Sequence, residues 1–523
     1  MADGAGFIPS SSKSLPYEVV SEANLRSAAY DGLIVISKFQ DPISADLKQL
    51  NSVLDDVSSL DESLYARGGI FKTEFPSRRL IFSPTGTLNP DYHDVRSYKE
   101  AAVKGVERAL SAGVKKPLLI LPADPDFQKC QLVALLGALE ALYSGLHNRE
   151  HEPKKFPKVS VLGVFSQSPA SELSATIKTA IALESARWVA RDIGGGDPER
   201  MAPPAAEAYV QKVFEKSTVT LTSISDEVEL RKRYPLFAAV NRCASVVERH
   251  RGRVLWLKYS PKNGSAKRSV VLVGKGVTFD TGGVDVKING CSVGMSRDKC
   301  GAAAVAGFLQ LVNILQPDDV EVIGALCLVR NSIGSNAYVA DEVIVSRSGK
   351  RIRIGNTDAE GRMAMADVLY EAKELALGLP DPHIFTIATL TGHAALYAGP
   401  YAIVMNNAPA REVKLDISLT DCGNRIGDPF EISNLYREDF ELHTENGENS
   451  DFLQAASKPS VQTKRGHQGP GAFLILASDL SKHGLRTKMP LKYSHLDIAG
   501  SAGVYPNNPT GSPILALAEK FLI

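Results

Sequence analysis

The sequence predicts an α/β fold made of two regions joined by a long helix. Three observations predict it: short apolar runs typical of buried strands, helical periods between those runs, and a glycine-rich break after the longest helical pattern. The chain has 523 residues, more than one ordinary domain contains, so two or more domains are expected.

The first region mixes strand-like and helix-like patterns. Its apolar runs lie at Gly32–Ile36, Leu118–Leu121 and Val159–Phe165, and Leu132–Leu146 has a helical period. We therefore predict an N-terminal α/β domain over residues 1–165.

A long helical pattern, Ala170–Arg191, follows with few breakers. It ends at Gly194–Pro198, the strongest break in the chain, and Pro203-Pro204 then opens another helix. We predict a linker helix over residues 166–196 and a second domain over residues 197–523. The alternative, two loops inside one large domain, stays open.

The second region alternates strands and helices. This alternation predicts a mixed, largely parallel sheet covered by helices on both faces. The predicted strands are Arg253–Tyr259, Ser269–Gly274, Val320–Val329 and Ile384–Thr389, and the predicted helices are Ala302–Leu315, Met363–Ala376 and Pro513–Leu522.

Charge and composition exclude several functions. Lys+Arg and Asp+Glu number 59 each, so nothing indicates a nucleic-acid footprint or a polybasic membrane anchor. No apolar stretch reaches the roughly 18 residues of a membrane span. Met1–Ser14 lacks a basic segment followed by an apolar core, and the six cysteines form no CxxC pair. We expect a cytoplasmic protein with reduced thiols.

A glycine-rich loop follows the strand that ends near Gly274. Ligands of α/β sheets gather beyond the carboxyl ends of strands, so Val273–Gly283 is a candidate site. Lys275 within Gly-Lys-Gly invites comparison with a phosphate-binding loop. That motif requires Ser or Thr after the lysine, and Gly276 stands there instead, which argues against a nucleotide site.

A second candidate site lies in Ile354–Arg362. If this segment is extended, Asp358, Glu360 and Arg362 all point one way, because side chains alternate along a strand. Such a row is often an ordinary solvated edge. Here a basic strand precedes it and an apolar helix follows it, which places the charges at an element junction.

Asn356-Thr357-Asp358-Ala359-Glu360-Gly361-Arg362 resembles the signature of the leucine (cytosol) aminopeptidase family. The resemblance covers roughly Asp197 to the C-terminus and is nearest to the aminopeptidase-like branch of animals. It extends to Ala388–Gly392, to His495–Gly500 and to four residues at the family's spacings, Lys275, Asp280, Lys287 and Asp298.

The resemblance implies a metallo-aminopeptidase with two divalent ions, zinc or manganese. It implies that Lys275, Asp280, Asp298 and Glu360 bind one ion, and that Asp280, Asp358 and Glu360 bind the other. Four carboxylates then balance two divalent ions, as burial requires. Lys275 must bind as a free amine, because an ammonium has no lone pair.

The family's chemistry implies roles for two further cations. A water bridging the two ions attacks the scissile carbonyl, and Lys287 stabilises the developing oxyanion. Arg362 is associated with a bicarbonate that shuttles the proton. Met295, Thr389, Leu390 and Gly392 are expected to line the substrate pocket.

Three departures from the family pattern lie near that pocket. They are His393, the stretch Gly466–Gly471 and the order Ser296-Arg297 before Asp298. None removes a predicted ligand, but the family's preference for leucine is not carried over. By resemblance we expect a homohexamer that cuts small peptides. The alternatives are a catalytically weak metalloprotein that binds peptides or nucleic acid, and a structural scaffold.

Overall fold

A computed structural model describes residues 6–38, 48–262, 264–288, 291–445 and 447–523 of the chain. These residues fall into two units. Unit 1 consists mainly of Ser12–Ser185, and unit 2 consists mainly of Ala186–Cys422 and Asp428–Ile523.

Unit 1 is built on a six-stranded sheet. Its strands are β1 (Glu18–Ser21), β2 (Gly32–Ser37), β3 (Gly69–Lys72), β4 (Arg79–Pro84), β5 (Pro117–Ile120) and β6 (Val161–Phe165). Its helices are α1 (Lys48–Ser58), α2 (Leu64–Arg67), α3 (Arg96–Ser111), α4 (Cys130–Leu142) and α5 (Leu146–His151). The strand order is β1-β6-β5-β2-β4-β3, with β3 antiparallel to β4 and the other pairs parallel. Every residue of β2 is buried, which explains its unbroken apolar run.

The long helical pattern forms helix α6, Ala170–Gly195. Its residues up to Ser185 belong to unit 1 and those from Ala186 belong to unit 2.

Unit 2 is built on an eight-stranded sheet and a small three-stranded sheet. The strands are β7 (Thr220–Ile224), β8 (Arg253–Tyr259), β9 (Arg268–Asp280), β10 (Val320–Asn331), β11 (Val343–Val345), β12 (Arg351–Arg353), β13 (Pro382–Ala388), β14 (Ala402–Asn406), β15 (Phe430–Ile432), β16 (Phe452–Leu453) and β17 (Lys492–Asp497). The large sheet has the order β15-β14-β17-β13-β9-β10-β8-β7, and the small sheet has the order β11-β12-β16. The four central strands, β17, β13, β9 and β10, run parallel, as the sequence predicts.

The helices that follow α6 belong mainly to unit 2. They are α7 (Pro203–Phe214), α8 (Glu227–Arg233), α9 (Pro235–Ala244), α10 (Cys300–Leu315), α11 (Glu360–Ala376), α12 (Gly392–Ala398), α13 (Ala408–Glu412), α14 (Leu415–Ile426), α15 (Arg437–Glu441), α16 (Gln468–Ala477) and α17 (Ile514–Phe521). The last residues of α14 belong to unit 1.

Strand β9 shows that both faces of the large sheet are covered. A Cβ on Gly274 would meet the backbone of Ala302 in α10 at 2.6 Å. The side chain of the next residue, Lys275, lies against Gly361 of α11. Because neighbouring residues of a strand point to opposite faces, α10 and α11 lie on opposite sides of β9. This confirms the predicted architecture.

Among the described residues, the segment Met295–Leu315 has the length and hydropathy of a membrane span. Its most apolar window is 89% buried inside the protein. That burial is typical of a core helix, which α10 is.

Candidate active site

Strand β9 carries the first two predicted ligands, Lys275 within the strand and Asp280 at its last residue. Lys275 is only 3% exposed. Asp280 lies opposite Asn331 at the end of β10, and Asn331 Nδ2 donates to Asp280 Oδ1 over 2.7 Å. Gly282 N donates to the same oxygen over 2.9 Å. The Asp280 carboxylate is therefore held from two sides.

Helix α10 brings Asp298 beside Lys275. This approach depends on Gly301, where a Cβ would lie 2.0 Å from Ile387 O and 3.0 Å from Lys275 N. Because no side chain intervenes, the first turn of α10 lies directly against the backbones of β9 and β13. Asp298 comes two residues before this helix.

The segment Asn356–Arg362 is not extended, so the prediction of three side chains alternating along one face is wrong. Asn356 Oδ1 accepts a hydrogen bond from Asp358 N over 2.8 Å and turns the chain. Helix α11 then begins at Glu360. Glu360 and Arg362 lie in the first turn of a helix, where residues two apart point in different directions.

The five predicted metal ligands nevertheless converge. One carboxylate oxygen from each of Asp280, Asp358 and Glu360 lies within 4.8 Å of the others. Lys275 Nζ lies 2.8 Å from Asp298 Oδ1 and 2.9 Å from Glu360 Oε1. We call these five side chains the carboxylate cage.

The two predicted catalytic cations both line the cleft beside the cage. Lys287 Nζ lies 2.9 Å from Asp280 Oδ2 and also contacts Asp358. Arg362 donates from Nη1 to Gln454 O over 2.9 Å. Lys287 thus borders the cage directly, whereas a main-chain carbonyl holds Arg362.

The cleft has a volume of about 1130 Å³, and the four predicted substrate-binding residues, Met295, Thr389, Leu390 and Gly392, all line it. Thr389 also contacts the cage. Its hydroxyl donates to Asp298 Oδ1 over 2.9 Å, and its carbonyl accepts from Lys275 Nζ over 3.1 Å.

Three of the cage carboxyls, those of Asp298, Asp358 and Glu360, resist ionisation. Burial and the neighbouring Asp280 carboxylate raise the pKa of Asp358 to about 7. Burial also raises the pKa of Asp298 and of Glu360 above their ordinary values, and the other carboxylates of the cage add to the effect. These three carboxyls are therefore crowded where their negative charges are costly.

The two lysines offset part of that charge. Burial alone would lower the pKa of Lys275, but Asp298 and Glu360 raise it above its ordinary value. Asp280, Glu360 and Asp358 raise the pKa of Lys287 in the same way, against the effect of burial. Both side chains are ammonium groups at neutral pH, so they lie as positive charges among the cage carboxyls.

The donor set suits divalent cations. Asp298 Oδ2 and Glu360 Oε2 are fully enclosed, and neither has a hydrogen-bond donor among the described residues. Buried oxygens of this kind normally have a partner. Clustered carboxylate oxygens and one amine are ligands for zinc, manganese, magnesium or cobalt.

Sequence reasoning assigned no role to three residues that hold this site. Asn331 Nδ2 donates to Asp280 Oδ1 and also to Thr357 O, over 3.1 Å. Asp497, at the end of β17, accepts from Leu390 N over 3.2 Å. Each of these two residues is the last residue of a strand that neighbours β9 or β13. That position at a strand end is the signal by which the sequence could have identified them. Gln454 lies in a polar stretch that has no such signal.

The cytosol aminopeptidase family, catalytic domain, matches residues 188–518. A Caenorhabditis elegans protein named as an aminopeptidase is 42% identical over 97% of this chain and 98% of its own length. A Campylobacter jejuni protein named as a cytosol aminopeptidase is 30% identical over 79% of this chain and 80% of its own length.

The fold also matches a solved structure, the bottromycin maturation enzyme BotP in complex with Mn. Its TM-score is 0.74 at 20% identity, and the match covers 94% of this chain and 98% of that chain. The family match spans the whole stretch that carries the cage, from Lys275 to Glu360. The chain belongs to the cytosol aminopeptidase family, and it is therefore a peptidase.

Proposed function

We propose that this chain removes the N-terminal residue from small peptides with the help of two divalent ions, zinc or manganese. The observation that carries the proposal is the convergence of four carboxylates and one amine, with enclosed oxygens on Asp298 and Glu360 that no described residue hydrogen-bonds. The BotP structure was solved with Mn, which supports a divalent ion of this kind.

Two overlapping ligand sets are proposed. Lys275, Asp280, Asp298 and Glu360 would hold one ion, and Asp280, Asp358 and Glu360 would hold the other. In the second set, one carboxylate oxygen of each residue lies within 4.8 Å of the others, which supports the sharing of Asp280 and Glu360 between the two ions. When bound, the ions would supply Lewis acidity toward the scissile carbonyl and toward the attacking water.

The chain's own cations complete the proposed chemistry. Lys287 keeps its charge in the cleft, so it is placed to stabilise negative charge that develops on the carbonyl oxygen. Burial lowers the pKa of Arg362 to about 10, so its guanidinium also stays charged at neutral pH. Arg362 would hold a bicarbonate by paired hydrogen bonds, and that bicarbonate would move the proton.

The substrate would enter the cleft, with its first side chain beside Met295, Thr389, Leu390 and Gly392. We further propose a cytoplasmic homohexamer that binds neither membranes nor nucleic acid, with domains at 1–165 and 197–523 and a linker helix at 166–196. The relatives named cytosol aminopeptidases support the location.

A dipeptide library tests the activity. The protein, loaded with Mn²⁺ or Zn²⁺, should release N-terminal residues, and both Asp358→Asn and Lys287→Gln should lower kcat/KM by about 10²-fold or more. Lys258→Gln is a matched control, because Lys258 pairs with Glu321 over 2.8 Å on the surface. Equal background release from all four proteins would refute the proposal and favour a binding role.

A further inference from the structure

Gln454 follows strand β16 and is 0% exposed. Its side chain faces the backbone of Gly355–Ala359, although about a hundred residues separate the two segments. The Gln454 amide is thus enclosed against the turn that carries Asp358 and leads into Glu360.

Four hydrogen bonds join this amide to the turn. Gly355 N and Asn356 N both donate to Gln454 Oε1 over 3.1 Å. Gln454 Nε2 donates to Asn356 O and to Ala359 O, each over 2.9 Å. Because two N–H groups face one atom and two carbonyls face the other, the orientation of the amide is fixed by chemistry.

Only an amide of this length satisfies the turn. A glutamate could accept from both N–H groups, but it would place a second carboxylate oxygen against two carbonyl oxygens. A hydrophobic side chain of similar size would remove the acceptor of the Gly355 and Asn356 N–H groups, and such a loss is costly in a buried setting.

The main chain of Gln454 holds a further part of the site, because its carbonyl accepts from Arg362 Nη1 over 2.9 Å. One residue therefore contacts the backbone on both sides of Asp358 and also the guanidinium of Arg362. None of these contacts involves the carboxylates themselves.

We propose that Gln454 is a positioning residue that sets the places of Asp358 and Glu360 for divalent ions and of Arg362 for its anion. This assignment rests on the proposed function. Ligand-bearing turns need such outer contacts, and loss of one typically lowers metal affinity about 10- to 100-fold. A merely structural role would change stability and leave the affinity alone.

The test is Mn²⁺ binding to the metal-free full-length protein, measured by titration calorimetry, for wild type and Gln454→Glu. We expect an affinity about 10- to 100-fold lower in Gln454→Glu. We also expect kcat to fall more than KM rises. If Gln454→Glu does not fold, Gln454→Met is measured in its place.

The matched control is Asn407→Asp. Asn407 also clamps backbone, because it accepts from Ala410 N and Tyr493 N and donates to Leu491 O. It does not line the cleft. Asn407→Asp should lower the melting temperature and bind Mn²⁺ within about twofold of wild type.

The outcomes separate the two proposals. A folded Gln454 variant that binds Mn²⁺ as wild type does would overturn the positioning role and leave the proposed function intact. Equal losses of affinity in the Gln454 and Asn407 variants would also overturn it. A wild-type protein that binds no divalent ion would overturn the proposed function, and the positioning role with it.

Discussion

His393 Nδ1 and His467 Nδ1 face each other at 2.8 Å, although 74 residues separate them in the chain. One ring must donate and the other accept, so the two neutral imidazoles are opposite tautomers, one with its proton on Nδ1 and the other with its proton on Nε2. His467 Nε2 lies 2.9 Å from Ser433 Oγ, which fixes the buried ring. Two departures from the family pattern thus contact each other, beside the turn that begins α12.

This pair should be coupled energetically. We expect His393→Ala and His467→Ala to be non-additive by about 1 kcal/mol in the free energy of unfolding, because either change breaks the same hydrogen bond. Urea unfolding of both single variants and the double variant measures the coupling. Additive losses would show that the two rings do not interact.

His467 contributes to the pH dependence of stability. Burial and then His393 lower the pKa of His467 to about 4, from an ordinary value of 6.5. In the unfolded chain His467 therefore becomes protonated below about pH 6.5, whereas in the folded protein it becomes protonated only near pH 4. This contribution to stability is complete above pH 6.5 and is lost as the pH falls through that window.

We expect His467→Gln to reduce the loss of unfolding free energy between pH 7 and pH 5, measured in urea. His147→Gln, at an exposed position of α5, serves as the control and should follow wild type. If the unfolding free energy of His467→Gln fell between pH 7 and pH 5 as much as that of wild type, His467 would not be a source of the pH dependence.

Metal binding should release protons. Asp298 and Glu360 keep Lys275 protonated, with its pKa above the ordinary value, yet only the free amine can bind an ion. Mn²⁺ affinity should therefore rise with pH. Calorimetry at pH 7 in buffers of different ionisation enthalpy should count about one proton fewer for Lys275→Met than for wild type. Equal proton counts would show that Lys275 is not a ligand.

Arg362 should govern the response to bicarbonate. We expect Arg362→Met to lower kcat by about 10²-fold, since the guanidinium that pairs with the anion is lost. Added bicarbonate should stimulate metal-loaded wild type in a bicarbonate-free buffer and leave Arg362→Met unchanged. Stimulation of both proteins by the same factor would remove bicarbonate from the proposed role.

Gly301 should tolerate no side chain. A Cβ there would lie 2.0 Å from Ile387 O, and backbone cannot move aside, so Gly301→Ala should lower the free energy of unfolding by about 3 kcal/mol or more. Gly378→Ala is the control, because its Cβ would lie 3.7 Å from the nearest atom outside its neighbours, Leu375 O. Thermal unfolding compares them, and equal melting temperatures would contradict the prediction.

The fold could be read from the sequence where patterns are local. The apolar runs Arg253–Tyr259 and Val320–Val329 became strands because β-branched and aliphatic residues suit a sheet buried on both faces. The predicted helix Ala302–Leu315 begins two residues after the observed start of α10 at Cys300, since Cys300-Gly301 gives no helical signal.

The candidate site was less predictable in its geometry than in its residues. A resemblance supplied the five ligands, and the structure brings them together. The conformation of Asp358–Arg362 was misread, because the Asn356 side chain turns the chain and local alternation cannot reveal that bond. Gln454 went unnoticed because its partners lie about a hundred residues away.

The position of Gln454 in the chain has a consequence for any shortened form of this protein. All five cage residues lie between Lys275 and Glu360, whereas Gln454 comes later in the chain. A product that stopped after Asp451 would retain the full set of proposed ligands but lose Gln454 and also β17, a central strand of the large sheet. Such a product should be judged inactive despite its complete signature, so a motif search alone would misclassify it.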